Sequence, residues 1–332
     1  MPRLNVGTST LFDAIIPDHK SLHEFDEIDA LLDWKRIEAH LSCVYNSKEG
    51  GASYPPIMMF RAMLLQVWHN ISDVQAEKML SRDLLFRRFC GLSFTDSIPD
   101  HSTISRFRTQ LNKDGLYDKI FSEVNRQLSE KGAIVKVGEV SIVDASVIEA
   151  HQCRKKAGVK KENTQDSEAG WAVKTGTKGR KEITYGFKVH TNVDEDGFVK
   201  VTKVTAGNIH DSQKLEELLT GTEEEMYGDS AYAGKTISDK LDERGIKNKI
   251  NRRAYRNKPL TESDDEYNST MSSVRYVVER TFGAFKRHYG VGKTRFLGIA
   301  KVQDWITVIS IAHNLKKGAA ILFPKPQRTK CA

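Results

Sequence analysis

Cysteine is scarce in this chain. Only Cys43, Cys90, Cys153 and Cys331 occur, and they are scattered. None lies in a CxxC pair or beside a histidine pattern, so they read as reduced thiols, neither a disulfide framework nor a zinc site. Long apolar runs are missing too: no stretch reaches the roughly 18 residues of a membrane span. The start, Met1-Pro2-Arg3-Leu4-Asn5, lacks the apolar core of a secretory signal. A soluble, cytoplasmic protein is expected. There is no internal repeat and no coiled-coil heptad, which excludes solenoids and long rods.

Charge is unevenly placed. With 51 Lys and Arg against 44 Asp and Glu the net is only +7. Yet residues 244–258 contain Arg244, Lys247, Lys249, Arg252, Arg253, Arg256 and Lys258 and no acid. Residues 154–188 carry ten bases against Glu162, Asp166, Glu168 and Glu182. Acids gather elsewhere, as in Glu223-Glu224-Glu225 and Asp264-Asp265-Glu266. Concentrated cations suit a polyphosphate backbone, and Tyr255 inside the first run strengthens a nucleic-acid reading over a solvated surface.

At 332 residues the chain should divide into two or three compact units. Residues 1–130 read as helical. Pro55-Pro56 opens an apolar helix, Ser72 and Gln75 form a capping box, and Cys90-Gly91 marks a helix end. Pro99-Asp100-His101-Ser102 opens another helix with Ile104, Phe107 and Leu111 on one face. The opposite face offers Ser105, Arg106, Arg108 and Thr109, compatible with a DNA-reading helix-turn-helix or with an ordinary bundle helix. From Val137 the pattern turns to short strands: 139–143, 185–193, 198–205, 225–228 and 248–251. The segment 154–180 has almost nothing to bury and reads as a mobile loop. Asp196-Gly197 predicts a tight hairpin, and Asn208 and Asp211 read as caps of a helix reaching about Leu219. Helices are expected over about 235–244, 272–289 and 304–315, the last packing onto the sheet. Three antiparallel strands joined to parallel ones, with helices on the faces, describe a ribonuclease-H-like α/β unit with a mixed five-stranded sheet.

Three acids stand out. Asp144 ends the apolar run Val140–Val143, Asp229 follows Met226-Tyr227-Gly228, and Glu279 lies in a helical stretch. Carboxylates at the ends of buried strands cost desolvation energy unless a cation neutralises them. Two of them plus a third from a helix form an oxygen cage suited to Mg²⁺, and two such ions serve phosphodiester cleavage and transfer.

Asp144, Asp229 with Tyr232, and Arg275-x3-Glu279-x6-Lys286 resemble the DDE transposases of bacterial insertion sequences, in the insertion-sequence-five group and close to the four group. Their signature around the glutamate is Tyr-x2-Arg-x3-Glu-x6-Lys; here Ser272 takes the tyrosine position. Tyr54-Pro55-Pro56, Tyr185-Gly186-Phe187-Lys188-Val189-His190, Gly207-Asn208-Ile209-His210-Asp211 and His313-Asn314-Leu315-Lys316 look like the same family. The resemblance implies an enzyme that binds terminal inverted repeats in double-stranded DNA, cuts there and joins the ends to a target, as a homodimer. It implies Asp144, Asp229 and Glu279 as catalytic ligands of Mg²⁺, with Mn²⁺ able to substitute.

Arg275, Lys286, Arg106, Arg108, Arg252, Arg253 and Arg256 are then expected on DNA, with Tyr232 and His210 as auxiliary residues. The expected division is a DNA-binding domain over 1–130, a catalytic domain over 131–320 with a mobile basic loop at 151–182, and a tail at 321–332. His190 reads as a packed core residue, Glu149 as a solvent-facing bystander, and Trp171 as either a loop anchor or a base-stacking platform. A nuclease without strand transfer and a non-catalytic repeat-binding protein are the rivals; the helical first domain argues against the former and the intact acid triad against the latter.

Overall fold

The computed structural model describes residues 3–45, 51–134, 139–150, 166–175, 181–255 and 258–324. The chain forms two compact units, Met1–Val135 with Thr307–Ala332, and Lys136–Ile306. Among the described residues no helix is long and apolar enough to cross a membrane.

The first unit is helical: α1 (Leu11–Ile15), α2 (Asp26–Leu31), α3 (Trp34–His40), α4 (Pro56–Trp68), α5 (Asp73–Arg82), α6 (Leu84–Cys90), α7 (His101–Lys113) and α8 (Leu116–Glu130). Local chemistry fixes the ends. Pro56 supplies the first residue of α4, where its missing N–H has no partner to lose. Ser72 and Gln75 form the expected capping box of α5. Gly91 closes α6 at φ 69°, a left-handed turn that glycine adopts without strain. Asp100 caps α7 by accepting the Thr103 N–H at 2.6 Å. Buried Arg87 donates to the carbonyls of Leu80, Ser93, Phe94 and Asp96 and so shapes the turn between α6 and α7.

In α7 the stripe Ile104, Phe107 and Leu111 is fully buried, as the periodicity predicts. Arg108, expected to face outward, does not. Its guanidinium reaches Asp73 at 2.7 Å on α5 with only 14% of the side chain exposed. It ties two helices together, because a desolvated guanidinium needs a carboxylate.

The second unit holds β1 (Val140–Glu149), β2 (Gly170–Thr175), β3 (Lys181–Val193), β4 (Val199–Ala206), α9 (Leu215–Leu218), β5 (Glu225–Gly228), α10 (Lys235–Glu243), β6 (Lys247–Ile250) and α11 (Glu262–His288). All five expected strands are present, and β2 makes a sixth inside the segment read as a loop. Its cross-strand pairs explain it: Trp171 faces Tyr185, with rings 4.9 Å apart, and Val173 faces Ile183. The sheet order is β2-β3-β1-β5-β6, with β4 also on β3. β1, β2 and β4 pair with β3 antiparallel, and β5 joins β1 and β6 in parallel. Gly186 sits where β1, β2 and β4 converge on β3; a Cβ there would meet the Ile148 carbonyl oxygen at 1.9 Å. Gly197 turns the β3–β4 hairpin at φ 87°, as Asp-Gly predicts. Beneath one face lie Val143, Leu215, Leu218, Met226, Tyr232, Leu241, Ile246 and Ile250.

Three boundaries differ from the sequence reading. α11 starts at Glu262, ten residues before the expected 272, because Thr261 and Asp264 make a capping box. The Asn208–Leu219 helix is a 3₁₀ turn, Asp211–Lys214, followed by α9, and its cap is His210, whose ring accepts the Ser212 N–H. The largest difference is at the end of the chain. The last helix, α12 (Ile299–Leu322), contains the unit boundary, and its residues from Thr307 on belong with the helical unit, not the sheet. The Trp68 indole donates to the Ala312 carbonyl at 3.1 Å, Asn314 donates to Asn125, and the Lys316 ammonium lies 4.7 Å from the Phe25 ring.

The helical unit is therefore discontinuous in sequence. Truncation after residue 306 should abolish its folding: burial of each large apolar side chain contributes about 1.5–3 kcal/mol, and a domain's whole margin is only about 5–15 kcal/mol. Hydrogen exchange should show loss of amide protection across residues 25–128 in the truncated chain.

Candidate functional site

Asp144 is not at a strand end, as the sequence reading had it; β1 continues five residues past it to Glu149. The strand that ends is β5, at Gly228. Parallel pairing runs Val140 to Glu225, Ser141 to Met226 and Ile142 to Tyr227. Two residues further along each chain stand Asp144 and Asp229, level with one another, where β5 has stopped and left β1 open on that side. Asp229 caps the following 3₁₀ turn by accepting the Ala231 N–H at 2.6 Å. The Asp144 carboxylate accepts the adjacent Ala145 N–H at 2.8 Å. Burial pushes the Asp144 carboxyl up to about 6; the Ala145 N–H and Arg275 oppose the shift, and the charges of Asp229 and Glu279 add to it.

α11 packs over β1, β3 and β5. Arg275 on this helix is 10% exposed, and its Nη2 lies 3.8 Å from Asp144 Oδ2. Its Nε is buried without an acceptor among the described residues. Arg275 thus reaches inward to the aspartate. Glu279 follows one turn later and is exposed, and Lys286 is exposed in the last turn. Ser272, at the position where a tyrosine is usual, accepts a hydrogen bond from Asn251 just past β6. Asp144 and Asp229 therefore lie level with one another, Arg275 reaches Asp144 from α11, and Glu279 stands one turn further along the same helix.

Tyr232 is fully buried, and its hydroxyl has no hydrogen-bond partner among the described residues. Burial, then the charges of Asp211, Asp144 and Asp229, hold its phenol well above the usual range. His190 is buried as expected, with Nε2 at 2.9 Å from Thr205 Oγ1, and burial pulls it down to about 4, so it is neutral. Asp211 is no helix cap: it ion-pairs with Lys188 at 2.8 Å. This pair escaped the sequence reading, although Lys188 and His190, two apart in β3, must share a face. His210 is exposed and hydrogen-bonded to Ser212. Glu149 lies 3.9 Å from Lys293, a weak surface ion pair.

Of the expected DNA contacts, Arg106 is exposed and hydrogen-bonded to Ser102, while Arg108 is taken up by Asp73. Arg252 lies 2.6 Å from Asp264 and stacks 4.3 Å from the Tyr267 ring; Arg253 is exposed. Arg256 falls outside the described residues, as does most of the basic segment 151–182. Arg252, Arg253, Lys235, Lys258, Tyr255 and Tyr267 line a cavity of about 540 Å³. Trp171 is 49% exposed on β2 and stands against Tyr185.

The donor set is chemically suited to a hard divalent cation: only carboxylate oxygens, one of them desolvated beside two like charges. Among the described residues no three acidic, histidine or cysteine side chains already stand at coordinating spacing. Glu279, being exposed, is the member with room to move.

Comparison with known proteins agrees with this arrangement. A family model described as a transposase domain (DUF772) matches residues 11–110, and one described as a transposase DDE domain matches residues 136–315. Among solved structures the chain is similar to a piggyBac transposase synaptic complex with hairpin DNA, at 11% identity and a TM-score of 0.43, over 96% of this chain and 79% of that one. It is also similar to a Mos1 strand transfer complex, at 13% identity and a TM-score of 0.19, over 80% of this chain and 96% of that one. Likeness at these scores adds no weight; the family models do. Since the DDE model alone spans more than half the sequence, from before the Asp144 strand to beyond the Glu279 helix, the chain belongs to the transposase DDE domain family and is a DNA transposase.

Proposed function

We propose that this transposase, of the insertion-sequence-five group and close to the four group, binds the terminal inverted repeats of an insertion sequence, cleaves the DNA there and transfers the strands to target DNA. The observation that carries this is the placement of Asp144 on β1 level with Asp229 just past the end of the adjacent β5, with Glu279 on the helix packed over these strands. Asp144, Asp229 and Glu279 would hold Mg²⁺, with Mn²⁺ as a substitute, which would supply Lewis-acid activation of the attacking oxygen and charge neutralisation at the leaving one. Arg275 orients Asp144 through their 3.8 Å contact. Lys286 would meet a phosphate near the scissile bond. Arg252 and Arg253, which line the cavity with Lys235 and Tyr255, would hold the DNA backbone, and Arg256 would add its charge to the same run. Arg106 remains the repeat-reading residue in α7, whereas Arg108 supports that helix from inside. The enzyme would act as a homodimer on paired ends in the cytoplasm. A nuclease without strand transfer uses the same carboxylates, so the decisive assay scores joined as well as nicked products.

Asp144→Asn, Asp229→Asn and Glu279→Gln should each shift repeat DNA in a gel as the parent does and nick it only at background rate. Full nicking by any one of them removes that residue from the site.

The raised Asp144 pKa sets a pH dependence. Its folded value, about 6, exceeds the unfolded 3.8, so between those limits the folded state holds a proton that the unfolded state has lost. Without metal, stability therefore rises as pH falls from about 6 to about 4. Asp144→Asn should raise the stability of the EDTA-treated protein at pH 7 by at most about 3 kcal/mol, with the advantage gone near pH 4. Protons also compete with the ion: the Mg²⁺ needed for half-maximal nicking should climb up to about tenfold per pH unit below 6 and stay flat above 7. Denaturant titrations and metal titrations across pH check both.

Neutralising Arg252 and Arg253 together should weaken binding to any DNA and reduce the slope of log affinity against log salt by about 0.9 per lost phosphate contact, about 1.8 in all. An unchanged slope returns the run to a solvated surface.

A further inference from the structure

β2 and the first half of β3 form a hairpin that runs on past β1. The β1–β3 ladder stops at Glu149 opposite Gly186, and β2 pairs with β3 from Gly186 outward to Lys181. Side chains alternate along a strand, and residues directly opposite each other share a face. Thr191, opposite Asp144, therefore shares its face with Phe187, Tyr185 and Ile183, and Trp171 and Val173 join them across the ladder. Thr191, Phe187 and Tyr185 are buried there, but further out the cover ends: Trp171 is 49% exposed, Val173 59% and Ile183 60%. At about 3.3 Å per residue this apolar strip lies roughly 20–26 Å along β3 from the level of Asp144. Folding does not call for it. A solvent-facing strand usually turns polar residues outward, and large apolar ones on an edge strand are a liability. Trp171 meets Tyr185 at 4.9 Å between ring centroids, and about half of it stays open to solvent.

Charge and position say what covers the strip. Lys181, two residues before Ile183 and on the same face, is exposed, as is Lys174 on β2. The surrounding stretch 154–188 holds ten bases against four acids. Such a surface suits a polyanion. On DNA the broad apolar surfaces are the faces of the bases, which a duplex hides by stacking and which aromatic side chains take up once a base leaves the stack. We infer that the Trp171–Val173–Ile183 strip receives a base unstacked from DNA bound across the Asp144 face of the sheet, with the indole stacked on the base and Lys181 at a neighbouring phosphate. This rests on the DNA-processing role proposed for that face.

The test uses the full-length chain in EDTA, so that nothing is cut, with a duplex of the element's terminal repeat. Trp171→Leu keeps an apolar contact for Tyr185 and removes the aromatic face. It should weaken binding roughly 5–150-fold, the worth of one stacked base. The slope of log affinity against log salt should not change, because no phosphate contact is lost. Trp171→Phe should restore most of the affinity. A single mismatch moved through the duplex should tighten parent binding at one position, since an unpaired base costs less to unstack; Trp171→Leu should bind that duplex no better than the perfect one. Parent-like affinity in Trp171→Leu overturns the inference, and so does a parent that gains nothing from any mismatch. An equal loss in Trp171→Phe would make the ring a packing residue, and a changed mass of DNA-free Trp171→Leu would make the strip a contact between copies; either result overturns it too. If the parent itself fails to bind repeat DNA, the DNA reading of this face is wrong and the inference goes with it. If the parent binds and Trp171→Leu matches it, only the role of the strip falls.

Discussion

The short parallel ladder between β1 and β5 is the constraint on which the site depends. Opposing Ile142 to Tyr227 places Asp144 and Asp229 level with each other. Because side chains alternate along a strand, a slip of one residue would turn one carboxylate into the apolar layer with Val143 and Met226. The hydrophobic pattern that buries Ile142, Val143 and Met226 therefore also sets the geometry of the acids. Termination of β5 at Gly228 matters as much as its register. A continued strand would cover the flank of Asp144, whereas the turn capped by Asp229 opens it.

Electrostatics explains why an arginine sits under α11. Asp144 loses solvent on joining the sheet, and two further carboxylates raise the cost of its charge. Arg275, itself mostly desolvated, relieves part of that cost at 3.8 Å without forming a tight pair. A tight bidentate pair would satisfy Asp144 and leave it poor at anything else. With only this loose contact to oppose it, burial leaves the carboxyl near 6, mostly charged at neutral pH and responsive to a stronger cation. Lys188 and Asp211 are the contrast, an ion pair closed to 2.8 Å.

Periodicity and caps made much of this legible from residues. The strand at 225–228, the α5 capping box and the apolar stripe of α7 are local patterns, written by burial and by orphaned N–H groups within a few positions. The acids were legible because charge placed after an apolar run is costly and hence conspicuous. Long-range partners were not. Nothing near Arg108 announces Asp73, thirty-five residues away, so an inward guanidinium resembled a solvent-facing one. β2 was hidden because its stability comes from Tyr185 and Ile183 across the ladder, with three of its residues, Trp171, Val173 and Lys174, exposed. The destination of α12 was hidden for the same reason: an apolar helix carries no mark of which core it will enter.

That destination has a consequence for synthesis. A ribosome finishes the first eight helices long before it reaches Thr307, the point where the chain returns to them. At about 5–20 residues per second the intervening 136–306 segment takes on the order of ten to thirty seconds. Through that interval Trp68, Asn125 and Phe25 wait without Ala312, Asn314 and Lys316. The sheet-bearing middle of the chain can emerge and fold first, so the usual N-to-C order of assembly is inverted and the helical unit, though first to be made, is completed only once the residues from Thr307 on have followed.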